Sequence, residues 1–153
     1  MEPRIDYWNK APDALKGMVN LEKTVKESDL EISLIELVKL RASQINGCAY
    51  CIDMHTKDAR QAGETEQRLY ALNAWQETNF YSDRERAALK WTEALTEISD
   101  RHITDELYES VQEHFSEDEM IILTLSIVAI NGWNRLAIGF GTVPGSYKPE
   151  LAN

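Results

Sequence analysis

Apolar residues recur every three or four positions along most of this chain, and no window alternates apolar with polar residues in the β-branched pattern of a strand. The periodicity predicts an all-α domain of about seven helices. Pro12 suits a first turn, and Leu15, Met18, Val19 and Val25 carry the first helix to about Lys26. Ser28 with Glu31 has the capping-box form, and Leu34, Leu37, Val38, Ala42 and Ile45 make a second stripe that stops near Asn46 and Gly47. A third helix is expected from Cys48 to about Ala62, closed by Gly63, and a fourth from Thr65 to Glu77 with Leu69, Leu72 and Trp75 inward. Ser82 with Glu85 opens a fifth, whose stripe of Ala88, Trp91, Leu95 and Ile98 ends near Ser99. Thr104 can cap a sixth bearing Leu107, Val111 and Phe115. Ser116 with Glu119 opens the last, apolar nearly all round to about Gly139 and therefore expected to be the buried centre. A second subunit is expected to cover part of that helix, or the aromatic surface around Trp75 and Tyr81, which favours a homo-oligomer.

The 153 residues show no repeat, low-complexity tract or linker, so a single domain over 1–153 is expected. Twenty-six acidic against sixteen basic residues give a net charge of -10. Phosphate backbones and anionic membrane surfaces are repelled by that balance, which excludes nucleic acid and membrane as partners. The longest apolar run, Ile121 to Ile130, is half of what a bilayer span needs, roughly 20 residues. The opening MEPRIDYWNK has no apolar h-region, so a cytoplasmic location is expected. In that reducing compartment the two cysteines stay thiols, which suits catalysis or metal binding better than a structural bridge.

Those cysteines fall in NGCAYCIDMHTK. On a helix Cys48, Cys51 and His55 lie at relative angles of about 0, -60 and -20 degrees, along one strip, with Tyr50 pointing elsewhere. The first turn offers unpaired N–H groups and the positive end of the helix dipole, both of which lower a thiol pKa. His55 can take or return a proton near cellular pH. The chemistry this suits is attack of Cys51 on an O–O bond, then condensation of the sulfenic acid with Cys48 to a disulfide. A dithiol-disulfide oxidoreductase is the alternative use of the same pair. A non-catalytic subunit is the other, with the cysteines either bound to zinc or simply packed, but zinc has no fourth ligand motif here. Haem attachment needs CxxCH, and Ile52 follows Cys51. No cofactor or metal is therefore expected. His102 and His114 sit in polar surroundings, and Trp75, Trp91 and Trp133 have core spacing. Glu36 with Lys39 reads as a solvated pair, while Asn131, Asn134 and Arg135 mark either a buried polar contact or a subunit interface.

The stretch ELVKLRASQINGCAYCIDMHTKDAR, Glu36 to Arg60, closely resembles the core of the AhpD-like alkylhydroperoxidases of the carboxymuconolactone decarboxylase superfamily. AGETEQRLYAL, ERAALKWTEAL and NGWNRLAIGFGTVPGSY extend the likeness, to the short single-domain branch, over nearly the whole chain. The resemblance implies an all-α homo-oligomer, a trimer or hexamer, that reduces hydroperoxides with electrons from a dithiol or protein disulfide reductant. By the same resemblance Cys51 is the attacking thiol, Cys48 its disulfide partner exposed to the reductant, and His55 a proton relay. Glu36 is then a carboxylate linked to that relay, and Tyr50 lines the site. The founding members are longer and carry the motif in their later half, so their lipoylated reductant is not carried over.

Overall fold

A computed structural model describes residues 1–149, which form eight α-helices and two 3-10 turns, with no strand among them. The helices are α1 (Tyr7–Lys10), α2 (Lys16–Lys26), α3 (Ile32–Asn46), α4 (Ala49–Gln61), α5 (Glu66–Ala71), α6 (Asp83–Thr96), α7 (Asp105–Gln112) and α8 (Glu117–Phe140). The 3-10 turns span Pro12–Leu15 and Leu72–Glu77.

The polar start signals work where the next turn is free to use them. Ser82 with Glu85 and Ser116 with Glu119 both close as capping boxes, each side chain satisfying a backbone N–H that the helix leaves open. Ser28 with Glu31 does not. Glu31 is itself the N-cap of α3 without a side-chain bond, because both its carboxylate oxygens take Arg84 at 3.0 Å. Ser28 turns back to donate to the Val25 carbonyl. The expected helix from Thr65 to Glu77 breaks into α5 and a 3-10 turn, kinked at Ala74 (φ -119, ψ 29). Burying Trp75 and bonding its indole N–H to Glu93 at 2.8 Å accompanies the kink. Pro12 opens a 3-10 turn rather than α2, α1 was not foreseen, and Ile98 lies past the end of α6 with most of its side chain exposed.

The buried centre is α3, not α8. No residue from Leu34 to Asn46 is exposed, and α3 packs against α4, α6 and α8. Leu34, Ile35 and Val38 join Trp91, Leu123 and Ile127 in one core cluster, and Leu37 and Leu40 join Leu72, Trp75 and Tyr81 in another. Trp75 and Tyr81 are thus covered within the chain. Each fully buried aliphatic side chain contributes roughly 1.5–3 kcal/mol. By length and composition α8 is able to cross a membrane, being 24 residues long where the apolar run alone suggested ten. It packs instead on α2, α3, α4 and α6. Ile121, Val128 and Ile138 remain exposed on it.

Gly47 carries the turn from α3 to α4. Its φ of +69 is left-handed, the Gly47 N–H reaches the Gln44 carbonyl at 3.2 Å, and the Cys48 N–H reaches Ser43 at 2.9 Å, the two bonds of a Schellman stop. A Cβ added there meets nothing within 4 Å, so the cost of a side chain is purely conformational. Gly47→Ala is expected to lower unfolding free energy by about 1–2 kcal/mol, measured by denaturant titration with an unchanged m-value. An unaltered midpoint would show that the left-handed turn is not required.

Candidate active site

Because Gly47 ends α3 in a left-handed turn, Cys48 becomes the N-cap of α4, and its sulfur accepts the Cys51 N–H at 3.4 Å. Cys51 follows one turn on, and both cysteines are free thiols. They pack with Ala42, Ile130 and Ala137, under Tyr50 and Trp133. Cys48 is only 1% exposed and Cys51 2%. The expectation that Cys48 faces solvent is therefore corrected. The N-cap position does turn its sulfur toward the open N–H groups of α4, but α8 and the aromatic residues cover it.

The Cys48 thiol is pulled down to about 7, first by the neighbouring Cys51 side chain and then by the backbone N–H groups of Cys51 and Tyr50 and the Asn134 amide, against the opposing effect of burial. Cys51 is pushed the other way, first by its interaction with the Cys48 side chain and then by burial. Tyr50 is held above the ordinary phenol value by burial.

His55 lies one turn beyond Cys51 and is buried, and its Nδ1 is 2.8 Å from Oε2 of Glu36. A carboxylate only accepts, so Nδ1 carries the hydrogen and Nε2 is the basic atom of the ring. Glu36 is thus a half-buried partner of the imidazole, which overturns its reading as a solvated residue paired with Lys39. Lys39 is buried too. Its ammonium is in contact with Glu22, which also accepts the Trp133 indole N–H at 3.2 Å, and burial pulls Lys39 down to about 8.

Asp58 completes the group. Its carboxylate lies with Glu36 and His55 so that the three ligating atoms are within 4.8 Å of one another, and the Tyr147 hydroxyl donates to it at 2.8 Å. Burial raises Asp58 and the Tyr147 bond opposes the rise. Among the described residues this trio is the group with metal-ligand spacing, and neither cysteine belongs to it.

The structure brings Cys48, Cys51, His55 and Glu36 together on two consecutive helices, with Tyr50 beside the sulfurs. Sequence reasoning missed Asp58, Ser43 and Asn46 and left Asn134 open. A signal was present. Glu36, Lys39, Ser43 and Asn46 recur at helical spacing on an otherwise apolar helix, and such a polar strip inside a core calls for partners from other helices.

The carboxymuconolactone decarboxylase family model matches residues 12–94, more than half of the chain. The uncharacterized protein YdfG of Bacillus subtilis is 49% identical over 141 residues, covering 92% of this chain and 96% of that protein. A solved protein of unknown function from Agrobacterium tumefaciens, suggested to be the antioxidant defence protein AhpD, superposes with a TM-score of 0.91 at 42% identity over 95% of this chain and all of that one. An uncharacterized peroxidase-related protein from Ralstonia eutropha, with an alkylhydroperoxidase AhpD core, shares the fold at a TM-score of 0.81 and 18% identity, over 94% of this chain and 77% of that one. A helical fold of this kind goes with that membership: the chain belongs to the carboxymuconolactone decarboxylase family, in its AhpD-like branch.

Proposed function

We propose that the protein is a thiol-dependent peroxidase that reduces hydroperoxides through Cys51 and Cys48 and is recycled by a dithiol or protein disulfide reductant. The observation that supports this most is the pair of free thiols at the start of α4, with the Cys48 sulfur accepting the Cys51 N–H and the His55–Glu36 couple one turn behind. In the reaction the Cys51 proton passes to the His55 Nε2, and the Cys51 thiolate attacks the distal oxygen of the hydroperoxide. The O–O bond breaks, Cys51 becomes a sulfenic acid, and the alkoxide takes the proton from His55 to leave as the alcohol. The Cys48 thiolate then attacks the Cys51 sulfur, forming the disulfide, and the departing hydroxide leaves as water with one proton. A dithiol reduces the disulfide and is itself oxidised. Glu36 holds the imidazole in the tautomer this needs.

A second reading, disulfide exchange with a small or protein disulfide, draws on the lowered pKa of Cys48, the N-cap thiol that a mixed disulfide would use. We place either activity in the cytoplasm. Self-association to a trimer or hexamer belongs to the same proposal, supported by Ile121, Val128 and Ile138 exposed on α8.

With an organic hydroperoxide and dithiothreitol, the wild type is expected to turn over while Cys51→Ser and Cys48→Ser each lose activity. Glu36→Gln is expected to slow the reaction roughly 100-fold. Equal rates in wild type and both cysteine variants would reject the peroxidase. Capture of a mixed disulfide by Cys51→Ser, without peroxide turnover in the wild type, would favour exchange.

The reduced protein is expected to gain one thiolate per chain with a midpoint near pH 7, read by ultraviolet absorbance. Because the folded pKa lies below the ordinary 9.0, the folded chain binds fewer protons between those values, so Cys48 adds stability as pH rises from about 7 to 9. A single midpoint at the ordinary thiol value would contradict the lowered Cys48 pKa.

Sedimentation is expected to give the mass of a trimer or hexamer, reduced by Val128→Glu. A monomer at micromolar concentration would remove self-association from the proposal.

A further inference from the structure

Both sulfurs are buried, and what covers them divides into helix and side chain. Ala42 belongs to α3, and Ile130 and Ala137 to α8, so none of them can leave without its helix. Those two helices are bonded to each other through Asn46, Ser43 and Asn134 at 2.9 and 3.1 Å. Tyr50 and Trp133 are the covers that a change of side-chain rotamer can move. Trp133 is restrained in two unequal ways. Its indole N–H donates to Glu22 at 3.2 Å, and Glu22 is itself in contact with the buried Lys39 ammonium. Its ring is stacked by Trp8, with centroids 5.4 Å apart and planes inclined by 18°.

The Trp8 restraint is the weaker one. Trp8 is 46% exposed and lies on α1, a single turn too short to persist by itself. Its segment is tied to the end of α8 by few contacts. The Arg4 backbone N–H reaches the Phe140 carbonyl at 2.7 Å, and Tyr7 lies against Phe140 at 5.5 Å. The Arg4 guanidinium donates to the Ile138 and Gly139 carbonyls at 3.1 Å, bonds that are exposed and that water can replace. Few buried apolar contacts and exposed hydrogen bonds are the marks of a segment that opens at lower free energy than the core. We infer that Trp133 is the gate of the thiol centre and Trp8 its latch: the amino-terminal segment lifts from α8, and the Trp133 ring then turns aside to admit a molecule to the sulfurs. Trp8 is thus a positioning residue that acts through Trp133. The inference rests on the thiol pair being the reacting centre but not on a hydroperoxide as substrate.

The test is the rate at which the reduced, folded protein reacts with an uncharged dipyridyl disulfide, read by thiopyridone absorbance. Trp8→Ala is expected to raise that rate roughly 2- to 10-fold, the ratio set by loss of one aromatic stack. Arg4→Met should raise it by less, because the Arg4 backbone bond remains. Trp133→Ala should raise it further, and adding Trp8→Ala to Trp133→Ala should change nothing more, since the latch then has nothing to hold. Fully additive effects would overturn the inference. So would an unmoved rate in Trp8→Ala together with a raised rate in Tyr50→Ala, which would make Tyr50 the gate. Urea below the unfolding transition separates local opening from general destabilisation: the Trp8→Ala rate should stay flat, and a climb with the slope of global unfolding would overturn the latch. That measurement decides by itself if Trp133→Ala does not fold. A raised labelling rate in Trp8→Ala with no hydroperoxide turnover in the wild type would keep the gate and discard the peroxidase reading.

Discussion

Helix α3 has no exposed residue from Leu34 to Asn46 and still carries four polar side chains on one strip, and a polar group in that setting is tolerated only when another element supplies its partner. Glu36 takes His55 of α4, Lys39 takes Glu22 of α2, and Ser43 and Asn46 take Asn134 of α8. Three helices are thereby fixed in register on α3 by bonds that cannot be exchanged for water. Hydrophobic burial supplies most of the stability but is indifferent to sliding by a turn. The polar strip is not indifferent, since a shifted α4 or α8 would strand a buried carboxylate, ammonium or amide at a cost of several kcal/mol.

The same strip governs the sulfur chemistry. Two cysteines at the start of a helix have their pKa values lowered by open N–H groups, but burial raises them, and alone the two effects nearly oppose each other. What tips Cys48 to about 7 is first the Cys51 side chain, with the amide of Asn134 on α8 adding to it. The asymmetry between the sulfurs follows from position. Cys48 is the N-cap and accepts a backbone N–H, whereas Cys51 lies inside the first turn.

Burial has a further consequence for how the centre is used. With both sulfurs nearly inaccessible and covered by Tyr50 and Trp133, a large disulfide partner has to displace side chains to reach Cys48, whereas a small hydroperoxide needs far less room. Around this lid, Trp133 stacks on Trp8 at 5.4 Å and Tyr7 contacts Phe140 at 5.5 Å. Arg4 ties the same amino-terminal segment to the carbonyls that end α8. The aromatic cover is thus anchored at both ends of the chain.

Most helices, two of the three capping boxes and the Cys48–Cys51–His55 strip were legible in the sequence, because each depends on residues within a turn or two of one another and the backbone geometry that relates them is fixed. Glu36 required the family resemblance, since a glutamate three residues before a lysine reads as solvent-facing until another helix is laid over it. The Ser28–Glu31 box failed for the same kind of reason: Arg84, distant in sequence, competes for the glutamate and wins. The kink after α5, the centrality of α3 over the more apolar α8, the burial of Cys48 and the places of Asp58 and Asn134 were decided only by tertiary packing. Local pattern determines which face of a helix is apolar, but what that face meets, and how much water remains there to screen a charge, is a property of the assembled chain.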